Sequence, residues 1–115
     1  MEKEFLVHLL FQVKPDKLDD FEALWAALKP EMAAQPGCTN VTCFKRFHTF
    51  DGVEWGQPPR ELTKIVKCVK YHALWQFDTI ENCGRAQGWL MENHYKALAK
   101  LLIAPFDISS GYEVQ

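Results

Sequence analysis

The sequence predicts an α+β domain with element order β-α-β-β-α-β, an antiparallel sheet and both helices on one face. Three observations lead there. Residues 4–14, EFLVHLLFQVK, alternate between apolar and mixed positions, the period-two signature of a strand in a half-covered sheet. Two long stretches place apolar residues at helical spacing. Between them lie two further strand-like segments, 38–50 and 62–77. The 115 residues suit one domain, 1–115, with a modest core that needs no staples.

In strand one, Phe5, Val7, Leu9, Phe11 and Val13 make a fully apolar face, and Leu6, His8, Leu10 and Gln12 a mixed one. Pro15 and Asp16 open the first helix, with Asp19 and Asp20 early in it. Its stripe is Leu18, Phe21, Leu24, Trp25, Leu28 and Met32. Pro30 should kink or tighten the last turns, and Pro36-Gly37 ends them. Strand two, CTNVTCFKRFHTF, spans 38–50. The glycines and prolines of 51–61 read as a loop. Strand three spans 62–77; its lysines Lys64, Lys67 and Lys70 do not share parity, which suggests a bulge or bend. The second helix starts on Asp78 or Thr79 as cap and is ended by Pro105. FDISSGYEVQ is a short last strand. This order is the ferredoxin-like split βαβ arrangement. Leu6 and Leu10 are too apolar for an open sheet face, so a second subunit, a homodimer, is the expected cover.

Composition narrows the function classes. Hydrophobic residues make up 48%, charged residues 24%, and the net charge is −2; a nucleic-acid binder would carry a basic excess. No apolar run approaches the roughly 20 residues that span a bilayer, so no membrane partner is expected. Cys38, Cys43, Cys68 and Cys83 match no zinc spacing. They read as reduced, partly buried thiols of a cytoplasmic protein. Cys38 and Cys43, five apart, should lie on opposite strand faces. No nucleotide-binding motif is present. The only serines, Ser109 and Ser110, lie outside any nucleophile elbow.

Two stretches carry a resemblance. FQVKPDKLDDFEALWAAL followed by QPG, and FDTIENCGRAQGWLMENHYKALAKLLIAPF, are similar to the opening helix and the second-helix motif of the antibiotic biosynthesis monooxygenase family. The resemblance implies a dimeric α+β barrel. That family includes cofactor-free oxygenases of phenolic polyketides and quinols, haem-degrading enzymes, and proteins without known activity. Asp16 stands where a glycine is usual, Phe77 where a tryptophan is usual, and Trp89 where a histidine is frequent. The 50–61 loop is longer than the family pattern. Trp89 does match a tryptophan of the haem-degrading members. Ala99, however, stands at their haem-ligating histidine, and His8 most nearly at their strand-one asparagine. Alanine cannot ligate iron, so neither haem nor another cofactor is expected.

The candidate residues follow from placement and from that resemblance. On a helical wheel Cys83, Gln87, Leu90, His94, Leu98 and Leu101 share one arc, which points His94 toward the sheet. It is either a core histidine bonded to a backbone carbonyl or a residue of a pocket between the second helix and the sheet. Trp89 and Tyr95 lie off the arc. His8 and His72 sit on strands one and three, neighbours in this topology, and can meet across the sheet. With no two histidines at ligand spacing in one segment, no metal is expected. The resemblance implies a cofactor-independent monooxygenase acting on a small phenol, anthrone or quinol. His94, His8 or His72 would be its base, and Trp89, Tyr95, Phe11 and Trp25 would contact the aromatic ring. The alternatives are a cofactor-free cyclase, isomerase or dehydratase of the same fold, or a non-catalytic dimer that binds a small hydrophobe.

Overall fold

A computed structural model describes residues 3–65 and 67–115. The expected order is present: β1 (Phe5–Val13), α1 (Leu18–Ala33), β2 (Cys38–Lys45), β3 (His48–Thr49), β4 (Arg60–Glu61), β5 (Val69–Phe77), α2 (Ile80–Ala99) and β6 (Asp107–Tyr112). The main sheet runs β2-β5-β1-β6, antiparallel throughout, and β3 pairs with β4 alone. This is the α+β ferredoxin-like arrangement, with β1 and β5 central.

Strict alternation makes the sheet two-faced. Phe5, Val7, Leu9, Phe11 and Val13 of β1, with Val69, Tyr71, Ala73, Trp75 and Phe77 of β5, are buried beneath the helices. Phe21, Leu28 and Met32 of α1 and Cys83, Ala86, Leu90 and Leu98 of α2 complete the same core. The Trp75 indole is buried but satisfied, donating to the Met32 carbonyl at 3.2 Å. The opposite face, with Leu6, His8, Leu10, Gln12, His72, Leu74 and Phe44, has no layer over it among the described residues. No helix among those residues is long and apolar enough to cross a membrane.

Several boundaries differ from expectation, each for a local reason. Pro15–Lys17 forms a 3-10 turn before α1, and Pro30 lies inside a helix that continues to Ala33. Its missing N–H falls in the last turn, where little of the helix remains to be disturbed. The 38–50 strand is two pieces: β2 leaves the sheet at Lys45, and His48–Thr49 turns away to pair with Arg60–Glu61. The 51–61 stretch therefore is the tip and return of a hairpin rather than a plain loop. Of the 62–77 strand, only Val69–Phe77 joins the sheet; Val66 lies outside the described residues.

Cys38 and Cys43 do not lie on opposite faces. A register shift between Cys38 and Asn40 adds one residue, so Cys38 pairs with Phe77 and Cys43 with Ala73, both on the helix side. Both thiols pack against the core, and all four cysteines are free.

Candidate functional site

At one corner the helices and the sheet leave a space between them. Between α1 and the β2–β5 side of the sheet lies a cavity of about 210 Å³ lined by Phe21, Glu22, Trp25, Cys43, Lys45 and Tyr71. Helical periodicity brings Phe21 and Trp25 to one face. Strand parity does the same for Cys43 and Lys45, and register sets Lys45 opposite Tyr71. Phe21 packs on the Tyr71 ring, with centroids 4.6 Å apart.

Three polar groups converge there. The Tyr71 hydroxyl donates to Glu22 Oε2 at 2.5 Å, and Lys45 Nζ stands 3.7 Å from the same oxygen. Burial, then the hydrogen bond to Glu22 and its charge, push the Tyr71 phenol well above the usual tyrosine range, so it stays protonated. Burial, followed by the charge of Glu22, raises the Cys43 thiol to about 11. At neutral pH it is a thiol and a poor nucleophile. The corner therefore offers a carboxylate acceptor, a neutral hydroxyl donor and a cation above an aromatic floor.

The sequence-derived candidates divide among five places. Trp25 lines this cavity. Phe11 lies at the centre of the core, against Phe21, Trp25 and Phe106. His8 and His72 do meet, Nε2 to Nδ1 at 3.0 Å, but on the open face of the sheet. One nitrogen must donate and the other accept, so the contact excludes the doubly protonated pair. His72 also stacks on Phe44, at 4.9 Å between centroids and 11° between planes. Burial, then His8, Lys70 and Arg46, lower the His72 pKa below its ordinary 6.5.

His94 does keep the inward arc but points along the seam between the helices, not into a pocket above the sheet. Its Nε2 is 3.7 Å from Glu31 Oε2 of α1, in place of the expected backbone carbonyl. The Trp89 ring meets it edge-on at 5.1 Å. Tyr95 packs on Phe106 at 5.9 Å and is partly exposed. The expected pocket between the second helix and the sheet is thus replaced by one beneath the first. Sequence reasoning missed Glu22, Lys45 and Tyr71. Tyr71 carries the one available signal, a hydroxyl at a position whose parity neighbours Val69, Ala73, Trp75 and Phe77 face the helices. Among the described residues no cluster of three or more His, Cys, Asp or Glu groups has metal-binding geometry.

The family model for antibiotic biosynthesis monooxygenase matches residues 4–64, just over half of the chain. No curated protein matches. Among solved structures, the chain is similar to Rv0793 from Mycobacterium tuberculosis, with 16% identity, TM-score 0.69, and 97% and 96% of the two chains covered. It is similar to a mutant form of SnoaB, a cofactor-independent oxygenase from Streptomyces nogalater, with 21% identity, TM-score 0.68, and 99% and 96% covered. A dimeric ferredoxin-like protein from an uncultured marine organism shares 11% identity at TM-score 0.66, with 99% and 98% covered. At these identities the likeness concerns the fold alone.

Proposed function

Because the chain belongs to the antibiotic biosynthesis monooxygenase family, we propose that it is a cofactor-independent oxygenase of a small phenol, anthrone or quinol, bound in the cavity beneath α1. The observation that carries the reading is the convergence of Glu22, Tyr71 and Lys45 on an otherwise aromatic and apolar corner. At about 210 Å³ the cavity falls below the roughly 300–1,000 Å³ of drug-sized sites, which favours a small aromatic ligand. Glu22 takes the proton from the activated ring position. The Lys45 ammonium stabilises the oxyanion that forms, joined by the Tyr71 hydroxyl, whose single proton Glu22 releases once that carboxylate is protonated. The electron-rich anion then reacts with oxygen. For an anthrone, the ring CH2 becomes C=O, one oxygen atom stays and the other leaves as water. The base role passes from His94, His8 and His72 to Glu22, because none of the three histidines lines this cavity.

The homodimer belongs to the same reading. Leu6, Leu10, Leu74 and Phe44, the last 61% exposed, form an apolar patch around His8 and His72 that a second sheet would cover. The dimeric structural neighbour supports it. Four unpaired thiols fit a reducing compartment such as the cytoplasm.

Oxygen uptake with a model anthrone or quinol tests the proposal. The wild type should consume oxygen, and Glu22→Gln should lower turnover about 10²–10⁴-fold, the usual worth of a positioned base. Product formed without oxygen uptake would replace the oxygenase by an isomerase, cyclase or dehydratase. Binding without turnover would leave a binding protein.

A further inference from the structure

The chain between β2 and β5 leaves the body as an arm. At its stem His48 pairs with Glu61 and Thr49 with Arg60, and Leu62 N–H donates to the Phe47 carbonyl at 2.8 Å. The tip is ordered. Val53 N–H bonds Phe50 O at 3.0 Å and Gln57 N–H bonds Glu54 O at 3.1 Å. Arg60 Nε holds Asp51 O at 2.8 Å, and the Thr49 hydroxyl accepts from Asp51 N–H at 3.1 Å. Gly52 and Gly56 supply the positive φ these turns need. Yet the tip covers almost nothing of its own chain. Trp55 is fully exposed and Phe50 is 68% exposed. The radius of gyration, 15.6 Å, exceeds the about 13 Å of a compact chain of this length, as a projecting arm requires.

A matching surface lies at the base of the arm. A cleft of about 340 Å³ has Phe47, Leu62 and Ile103 among its walls, and the cations Arg46, Lys64, Lys67 and Lys70. No acidic residue lines it among those described. The tip has the opposite character, an apolar Trp55 flanked by Glu54 and Asp51. No tip residue lines this cleft and Trp55 is fully exposed, so the match is open to a second copy. Two arms lying antiparallel about a twofold axis place each tip on the other's base, and the contact closes on itself. The cleft also includes Gln12 and Lys70 of the open sheet face, so it is continuous with the surface the dimer would cover.

We propose that the arm tip of one copy, with Trp55 as its anchor, docks into the basic cleft of a second copy. The inference rests on the homodimer proposed above and adds its specific contact. Tryptophan is among the residue types enriched in the hot spots of such interfaces, and complementary charge fixes their register.

Sedimentation of the full-length chain at micromolar concentration tests it, with circular dichroism as the check on folding. Trp55→Ala and the double variant Asp51→Lys/Glu54→Lys change exposed positions and should keep the fold while weakening association by about tenfold or more. Lys64→Glu/Lys70→Glu should do the same. Combining the two charge reversals should restore the dimer. A wild-type monomer overturns both this contact and the homodimer. A dimer that Trp55→Ala and both reversals leave unchanged overturns the arm contact alone. Loss by both reversals without restoration by the combination overturns the pairing of tip with cleft. If the dimer is unaltered and the cleft variants instead lose binding of benzoate, used as the probe, the occupant is a small organic anion and not a second copy.

Discussion

His72 is held between two rings, Phe44 on its face and His8 at its Nδ1. Burial disfavours its imidazolium, and the nearby His8, Lys70 and Arg46 add to that. The folded state therefore binds fewer protons than the unfolded chain between the lowered pKa and the ordinary 6.5. Where the unfolded state binds more protons, stability rises with pH. The contribution is fully present above 6.5 and is lost as the pH falls toward and through the lowered value. The melting temperature should be level near pH 7 to 8 and decline on acidification from about 6.5, before the carboxylates titrate near 4. His72→Gln keeps a polar partner for His8 and should flatten that slope. An unchanged slope would assign it to other groups. Glu22, Tyr71 and Lys45 are set by the same kind of cross-element contact. Their positions were not legible, because no local pattern says that residue 22 of a helix will reach residue 71 of a strand.

Among the elements, the start of α2 shows how a cap and a turn depend on each other. Thr79 Oγ1 accepts from Asn82 N–H at 3.1 Å, as an N-cap should. Gly37, at φ +82, passes so close that an added Cβ would strike Asp78 and Asn82. Its carbonyl accepts from Asp78 N–H at 2.9 Å, tying the end of α1 to the start of α2. Gly37→Ala meets both a conformational cost of about 1–3 kcal/mol and a steric one. Thr79→Ala loses one cap, about 1 kcal/mol. Chemical denaturation should therefore place Gly37→Ala below Thr79→Ala in stability; the reverse order would show that the loop relaxes freely. The cap was legible as Asp78 or Thr79 from their place before an apolar-periodic run, and the structure selects Thr79. The Pro36-Gly37 break was legible as a turn, but not the close approach that makes glycine necessary there.

At the scale of the whole molecule, the open sheet face is an apolar surface without a layer over it among the described residues. Leu10 lies on it, opposite His72 in β5 and Asp107 in β6. The proposed dimer predicts that Leu10→Glu, a charge placed on the face to be covered, yields a folded monomer by sedimentation with unchanged far-ultraviolet circular dichroism. A dimer of wild-type affinity in this variant would remove the sheet face from the interface. The substitution leaves the core and the cavity beneath α1 untouched, because residue 10 has the opposite parity to Leu9 and Phe11. Dimerisation and oxygen uptake can thus be tested separately.

The sequence by itself determined the β-α-β-β-α-β order of the main elements and the apolar face of the first strand. Alternation and helical spacing are local properties, and burial beneath a single pair of helices leaves one solution for β1 and β5. It also pointed to the family, through residues that lie close together in the chain. Only the tertiary structure decided what meets what. One added residue near Cys38 turned two cysteines expected on opposite faces to the same one. The register of β1 on β5 brought His8 to His72, and the docking of α1 aimed His94 at Glu31 and opened the cavity under Phe21 and Trp25. These outcomes depend on inter-strand register and helix placement. Packing over the whole core sets both, and no short window of sequence encodes them.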